Sequence, residues 1–72
     1  MNLDQASKLH NRDEVVLKSN FDGVKRICSI CGEGRTLIQN GKKYIIFDLF
    51  ELDQNGLAKG SLIKDVSHIY LK

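Results

Sequence analysis

The sequence contains no run of about 18 apolar residues, the length that a helix needs to cross a membrane. We also expect no secretory signal, because residues 1–14 are polar and carry charges of both signs. Proline is absent as well, and this absence excludes nothing. We therefore expect a cytoplasmic protein without a membrane partner.

Cysteine is scarce: the chain has two, Cys28 and Cys31, in a single CxxC. One such pair cannot cross-link distant parts of the fold, so disulfides are not expected to hold it together. In a reducing compartment we expect these residues as free thiols or as thiolates bound to a metal.

An excess of charge of one sign is also missing. Eleven basic residues face nine acidic ones, a net charge of +2, and phosphate binding needs several cations on one face rather than a near-balanced total.

Length sets a second limit, since a single domain this small buries only about 60% of the surface of its unfolded chain. A deep enzymatic cleft is not expected in such a core.

What the sequence does have is a strong hairpin signal at Asn40-Gly41. A two-residue Asn-Gly loop supplies the positive φ angles of a type I′ turn. Residues 35–39 and 42–53 lie on its two sides, and the second segment is the most apolar and β-prone in the chain. We take residues 42–53 as the central strand.

The turn fixes the register of this hairpin, pairing Gln39 with Lys42 and Leu37 with Tyr44. Both faces of the central strand are then apolar, which implies a second layer, closure into a barrel or a partner chain. The apolar parity changes along the strand, so we also expect a bulge or a sharp bend near Asp48.

The remaining segments predict one short helix and further strands. Apolar residues at every third position favour a helix over residues 2–10, followed by a polar break. Residues 14–19 fit either a strand or a continued helix, and Val15 and Val16 favour the strand. Turn residues at 20–23, 32–34, 54–56 and 64–65 separate the other predicted strands, which are residues 24–31, 35–39, 57–63 and 66–71.

These elements predict an α+β, mostly β fold: a short N-terminal helix followed by a five- or six-stranded, bent antiparallel meander. We expect a single small domain over residues 1–72, with the helix and break in 1–13 and the meander in 14–72. The bent central strand, the leading helix and a corner at residues 63–66 that suits a 3₁₀ turn resemble small barrels of the SH3-like and Sm-like kind. This resemblance of order and spacing implies a barrel or a half-barrel.

The CxxC, with Gly32 after it, resembles a zinc knuckle, in which two thiolates bind one metal. It supplies half of a four-ligand site. Either His10 and His68 complete the site, or two chains each contribute Cys28 and Cys31 to a zinc-bridged dimer. The alternative is that both cysteines are buried thiols that fill space. Thioredoxin-like redox chemistry is disfavoured, because the first cysteine does not begin a helix.

Basic residues gather around one aromatic residue if the meander is right. Neighbouring strand ends then carry Lys25, Arg26, Arg35, Lys42 and Lys43, with Tyr44 beside them. Cations around an aromatic ring are typical of sites for RNA or single-stranded DNA. The alternative interpretation is that these cations keep the strand edges soluble.

No catalytic constellation accompanies these features. Asp48, Glu51 and Asp53 lie along the central strand, where pairing with Lys59 is expected rather than acid and base catalysis, and no phosphate-binding glycine loop occurs. We therefore expect no enzyme but a small binding or adaptor module, an accessory or regulatory protein that acts through a protein partner or self-association. Nucleic-acid binding and a structural zinc site are the alternatives.

Overall fold

The computed structural model describes residues 1–72 and contains a four-stranded antiparallel sheet with a short N-terminal helix. The strands follow one another in chain order as a meander. The sheet is not closed and has four strands. The expected barrel and the expected fifth or sixth strand are therefore not shown. The elements are α1 (Leu3–Ala6), β1 (Glu14–Leu17), β2 (Arg26–Gln39), β3 (Lys42–Leu52), β4 (Ala58–Ser67) and a 3₁₀ helix (His68–Tyr70).

Helix α1 is held by a capping box. The Gln5 N–H donates to Asn2 Oδ1 at 2.8 Å, and the Asn2 N–H donates to Gln5 Oε1 at 3.1 Å. The helix ends at Ala6, its one buried residue, instead of continuing to residue 10 as the periodicity predicts. A helix that continued to residue 10 would still be too short to be stable by itself. The chain instead leaves α1 and contacts the sheet, where the Arg12 N–H donates to the Ile30 carbonyl at 2.7 Å.

Strand β2 continues without a break through its Gly-Glu-Gly stretch. The sequence predicts a chain reversal there, and that prediction is wrong. Cys31 pairs with Asp48 and Arg35 pairs with Ile46, which leaves three residues of β2 opposite one residue of β3. This is a bulge, and Gly32 accommodates it with a φ of 80°. The two strands predicted on either side of the glycines are therefore one bent strand.

The Asn40-Gly41 hairpin forms with the predicted register. Gln39 pairs with Lys42, and the next three pairs follow as expected. The two loop residues have φ angles of 52° and 76°, which a type I′ turn requires. The bend expected near Asp48 is confirmed, because the register shifts beside this residue both between β2 and β3 and between β3 and β4.

Strand β4 continues past residues 64–65, where the sequence predicts a corner between two strands. That prediction is wrong, because the extra residue is taken up as a bulge with Asp65 at a φ of 57°. A second register shift interrupts β4 between Ala58 and Leu62. The 3₁₀ turn comes later than the predicted corner, at His68–Tyr70.

After the 3₁₀ turn the chain returns to β1. Leu71 forms an isolated antiparallel bridge with Leu17, and the Lys72 N–H donates to the Val16 carbonyl at 2.9 Å. The amino group of Met1 donates to the Leu71 carbonyl. The predicted last strand, residues 66–71, is thus divided between the end of β4, the 3₁₀ turn and this single bridge.

The core lies on one face of the sheet, with Ile45, Phe47 and Leu49 of β3 at its centre. The other buried apolar residues are Ala6, Val15, Leu17, Cys28, Ile30, Val66 and Leu71. The opposite side of β3 is half-buried along its whole length after the hairpin. The expectation that both faces of the central strand are covered is therefore met on one face only.

Candidate functional site

Apolar side chains continue across the sheet on the face turned away from the core. Phe50 lies at the middle of this face, because its register partners are Ser29 on β2 and Leu62 on β4, and paired residues point to the same side of a sheet. We call this apolar surface the outer face and define it by Ile27, Phe50, Leu52, Leu57 and Leu62.

The outer face is exposed enough to make contacts. Ile27 is 56% exposed and Leu57 is 65% exposed, whereas Phe50, Leu52 and Leu62 are half-buried by their sheet neighbours. Scattered exposed apolar residues are ordinary in small proteins, but a contiguous set on one face is typical of a surface that another molecule covers.

A hollow of about 650 Å³ opens over one part of this face. Its apolar wall is formed by Phe50, Leu52, Leu57 and Ala58, and its remaining lining comes from Asn11, Arg12, Ser29, Ile30, Cys31 and Gly56. Concave apolar sites with a few polar groups at the rim are the usual form of a binding site.

Arg12 is the one charged residue that lines the hollow. None of the ion pairs of the chain includes it. The segment that carries it is fixed to the sheet by the Arg12 N–H, which donates to the Ile30 carbonyl at 2.7 Å, and by Asn11 Oδ1, which accepts from the Gly32 N–H at 2.7 Å. The hollow therefore combines an apolar wall with an unpaired guanidinium, a pair of features that suits an apolar group next to a carboxylate.

The two cysteines lie on opposite sides of β2. Cys28 is completely buried in the core, whereas Cys31 is half-buried and lines the hollow on the outer face. Successive side chains on a strand point to opposite faces, so two residues three positions apart lie on different faces. These thiols therefore do not converge as they would in a zinc knuckle. Burial raises the pKa of the Cys28 thiol, and the charge of Glu51 adds to the rise.

The predicted histidine ligands do not join them. His10 is exposed beside Asp13, with 3.9 Å between Nδ1 and the carboxylate. His68 is 6% exposed, and its Nδ1 accepts a hydrogen bond from the Ile45 N–H at 3.2 Å. No three His, Cys, Asp or Glu side chains come together as a metal group. The structure therefore does not bring the four predicted ligands together within one chain, because they lie on different faces and elements.

The predicted basic residues are also separated. Since β2 does not reverse at its glycines, Lys25 lies at one end of this 14-residue strand and Lys42, Lys43 and Tyr44 follow the hairpin at the other end.

The two arginines of the predicted set are occupied by carboxylates. Arg26 contacts Asp22 and Glu51, with 2.7 Å between its Nε and Glu51 Oε1. Arg35 contacts Asp48 and Asp65. These hydrogen bonds raise the pKa of both guanidinium groups, and each guanidinium is already paired with two carboxylates.

The carboxylates of the central strand stabilise structure. Glu51 pairs with Lys59 at 2.7 Å, as predicted. Asp53 Oδ1 accepts from the N–H groups of Asn55 and Leu57, at 2.8 and 3.0 Å, and so holds the β3–β4 turn. Lys59 lowers the pKa of Glu51, so this side chain is held as an ion.

Comparison of the chain with protein-family models, with curated proteins and with solved structures gave no match. None of its helices has the length and apolar character needed to span a bilayer.

The sequence alone places Phe50 and Leu52 on the same side of their strand, because they are two positions apart. It gives no sign that Arg12 lies beside them, since Arg12 is in a polar break whose position depends on contacts with β2.

Proposed function

We infer that this protein is a non-enzymatic binding module that acts through protein–protein association at the outer face. The observation that carries the inference is the contiguous, partly exposed apolar surface around Phe50, with Arg12 unpaired at the rim of its hollow. The occupant is a segment of another protein that presents apolar side chains next to a carboxylate. In this role we propose that it acts as an accessory or regulatory protein.

Charge complementarity supports an acidic occupant. The hollow has a guanidinium at its rim and no carboxylate side chain in its lining, and the chain as a whole has a net charge of +2. A guanidinium binds a carboxylate through two parallel hydrogen bonds, which orients the partner while apolar burial supplies most of the affinity. A second copy of this chain would instead bring two Arg12 side chains together at the same rim.

The face is a better docking surface than the free edge of the sheet. Of the two edge strands, β1 is bridged to Leu71, and β4 has two register shifts and an exposed Lys59 that disfavour pairing with an added strand. An association surface of ordinary size covers about 800 Å² on each partner. The accessible surface of the chain is 4876 Å², so such a contact would cover about one sixth of it.

The same proposal includes the fold type, a half-barrel of the SH3-like or Sm-like kind. Its support is the bend shared by β2 and β3, the 3₁₀ turn after β4, and the Leu17–Leu71 bridge, which begins to join the last residues to the first strand.

The test is affinity capture from native lysate with four matched baits: the wild type, Leu57→Asp, Arg12→Glu and Ile38→Asp. Leu57 and Ile38 are both 65% exposed, but Ile38 lies near the hairpin tip, away from the hollow. The wild type and Ile38→Asp are expected to capture the same protein, and the other two variants to retain about tenfold less of it.

Equal capture by all four baits would contradict the proposed site. Sedimentation of the isolated protein tests the other occupant. A doubled mass that Leu57→Asp reduces to that of one chain would show a second copy on the outer face and would overturn the acidic partner.

A further inference from the structure

A second hollow, of about 290 Å³, lies at the far end of β1 from the outer-face hollow. Its lining consists of Val16, Lys18, Ser19, Asn20, Lys25 and Lys72. Three lysines, a serine and an asparagine thus line one space, and none of the six lining residues has a carboxylate side chain.

The register of the strands explains why these residues meet. Leu17 pairs with Arg26, so Lys18 and Lys25 stand opposite each other one step beyond the strand ends. The Lys72 N–H donates to the Val16 carbonyl at 2.9 Å, which brings the last residue to the same side of β1.

The connection after β1 is held in place by main-chain hydrogen bonds. The Lys18 N–H donates to the Tyr70 carbonyl at 2.7 Å, and the Phe21 N–H donates to the Lys18 carbonyl at 3.2 Å. Lys18 therefore projects from hydrogen-bonded backbone.

No side-chain carboxylate pairs with a lysine of this hollow. The ion pairs of the chain use Lys8, His10, Arg26, Arg35 and Lys59, and none of them uses a lysine of this hollow. The Lys18 ammonium lies 3.4 Å from the Ile69 carbonyl, a long contact with a neutral acceptor. Like charges that face each other across a strand pair repel, and an anion bound between them would remove that repulsion.

We propose that this hollow is an anion-binding site for a phosphate group. A phosphate offers several acceptor oxygens on one centre, which matches three ammonium groups, the Ser19 hydroxyl and the Asn20 amide better than a planar carboxylate does. The phosphate group belongs either to a free phosphate ester or to the backbone of a nucleic acid, since both present the same chemistry. The site shares no lining residue with the outer-face hollow and does not depend on the function proposed for that hollow.

The experiment is a titration of the ¹⁵N-labelled protein followed by the backbone amide signals in low salt. The probes are inorganic phosphate, pyrophosphate and a single-stranded oligothymidylate. Saturable shifts are expected at Lys18, Ser19, Asn20, Lys25 and Lys72. The double variant Lys18→Gln/Lys25→Gln is expected to bind about tenfold more weakly or worse, because it loses two charge-assisted contacts.

The matched control is Lys42→Gln/Lys43→Gln, which removes the same charge at the hairpin and is expected to keep the affinity within about twofold. A second variant, Lys18→Arg/Lys25→Arg, retains the charge and is expected to bind. The amide spectrum of each variant also reports whether it is folded, and these exposed or half-buried positions carry none of the core.

The probes separate the two sources of the phosphate. Similar affinity for pyrophosphate and the oligonucleotide supports a free phosphate ester. Binding of the oligonucleotide that is tighter by about tenfold or more, with a steep dependence on salt, supports a nucleic-acid backbone. The proposal is overturned if no probe shifts these residues, or if the hairpin control weakens binding as much as the Lys18→Gln/Lys25→Gln variant does.

Discussion

Gly34 lies against the core without a side chain of its own. A Cβ at this position would be 2.7 Å from Phe47 Cε1 and 2.8 Å from Ile45 Cγ2, and both neighbours are buried. We expect Gly34→Ala to lower the free energy of unfolding by about 1–3 kcal/mol, since the added methyl group overpacks a close contact. Urea denaturation followed by circular dichroism measures the change.

Gly32, in the same bulge, provides the control. It has a φ of 80°, and a Cβ added to it would meet no atom within 4 Å. Gly32→Asn should therefore cost less than about 1 kcal/mol, because Asn tolerates this backbone conformation. Equal costs at the two glycines would contradict the steric explanation.

His68 makes stability depend on pH. Burial lowers its pKa below the ordinary value of 6.5, and the charge of the Met1 amino group adds to this. Its Nδ1 accepts from the Ile45 N–H, which a protonated Nδ1 cannot do. The unfolded chain therefore binds a proton at a higher pH than the folded protein, and the free energy of unfolding should fall as the pH drops below 6.5.

Denaturation at a series of pH values between about 5 and 7.5 tests this. His68→Asn keeps an acceptor but cannot titrate, so it should reduce the fall in stability over this range to what the Met1 amino group and the paired carboxylates contribute. His10→Asn, at an exposed position, should leave the fall unchanged. The explanation fails if His68→Asn retains the dependence of the wild type.

Among individual residues, contacts between side chains on the two strands of one hairpin are the easiest to predict from the sequence. The Glu51–Lys59 pair follows from one hairpin, because both positions are set by the turn between them. The CxxC spacing alone could not show where the two thiols lie, because it has different meanings in different elements. On a turn it brings two thiols together, whereas on a continuous strand it places Cys28 in the core and Cys31 on the outer face.

At the scale of elements, one arginine holds three strands together at the bend. Arg35 on β2 donates to both carboxylate oxygens of Asp48 on β3, at 3.2 and 3.0 Å, and to Asp65 Oδ1 on β4 at 2.7 Å. Asp48 Oδ1 also accepts from the Asp65 N–H at 3.1 Å. The two bulges, one in β2 and one in β4, are therefore fixed by the same cluster of side chains.

A double-mutant cycle with Arg35→Gln and Asp48→Asn measures this cluster. We expect a coupling of about 1 kcal/mol, more than an ordinary exposed pair, because the contact is bidentate and Asp48 is mostly covered. The Asp48 carboxyl has a lowered pKa, chiefly through its hydrogen bonds from Arg35. The coupling should therefore be present at neutral pH and disappear as acid protonates Asp48.

The control cycle uses Asp4 and Lys8, which are 3.7 Å apart and almost fully exposed. Their coupling should be below about 0.5 kcal/mol. A coupling at Arg35 and Asp48 no larger than this would show that the bulges are held by other contacts.

Elements set by local chemistry were predicted, and elements set by distant contacts were not. The Asn40-Gly41 hairpin follows from two adjacent residues, so its register could be predicted pair by pair. The Gly-Glu-Gly stretch has the composition of a turn, but Arg35 and the Phe47 ring hold it within a strand. The Phe47 ring and the carboxylates that Arg35 contacts are more than ten residues away in the chain, and no local pattern indicates them.

For the molecule as a whole, the central fact is a core on one side of an open sheet. Eleven of 72 residues are buried, which gives a small stability margin and leaves the outer face partly exposed. The sequence predicted that the central strand is apolar on both sides and hence needs cover. It could not predict that the chain covers one side only, because that depends on where β4 and the last residues end.

Both hollows illustrate the same limit of sequence information. Arg12 reaches the outer face only through its main-chain contact with Ile30. Lys72 joins Lys18 and Lys25 only because the chain returns to β1 after the 3₁₀ turn. Neither arrangement leaves a spacing or a motif in the sequence, since each depends on segments that meet only after folding.

The contact between the Met1 amino group and the Leu71 carbonyl places the two ends of the chain side by side. A short peptide could join them into a ring, with new ends opened at the Asn40-Gly41 loop, so the order in which the strands are synthesised is separable from the structure they form. For the same reason, a larger protein could carry this unit inserted in a surface loop, because the chain would enter and leave it at one point.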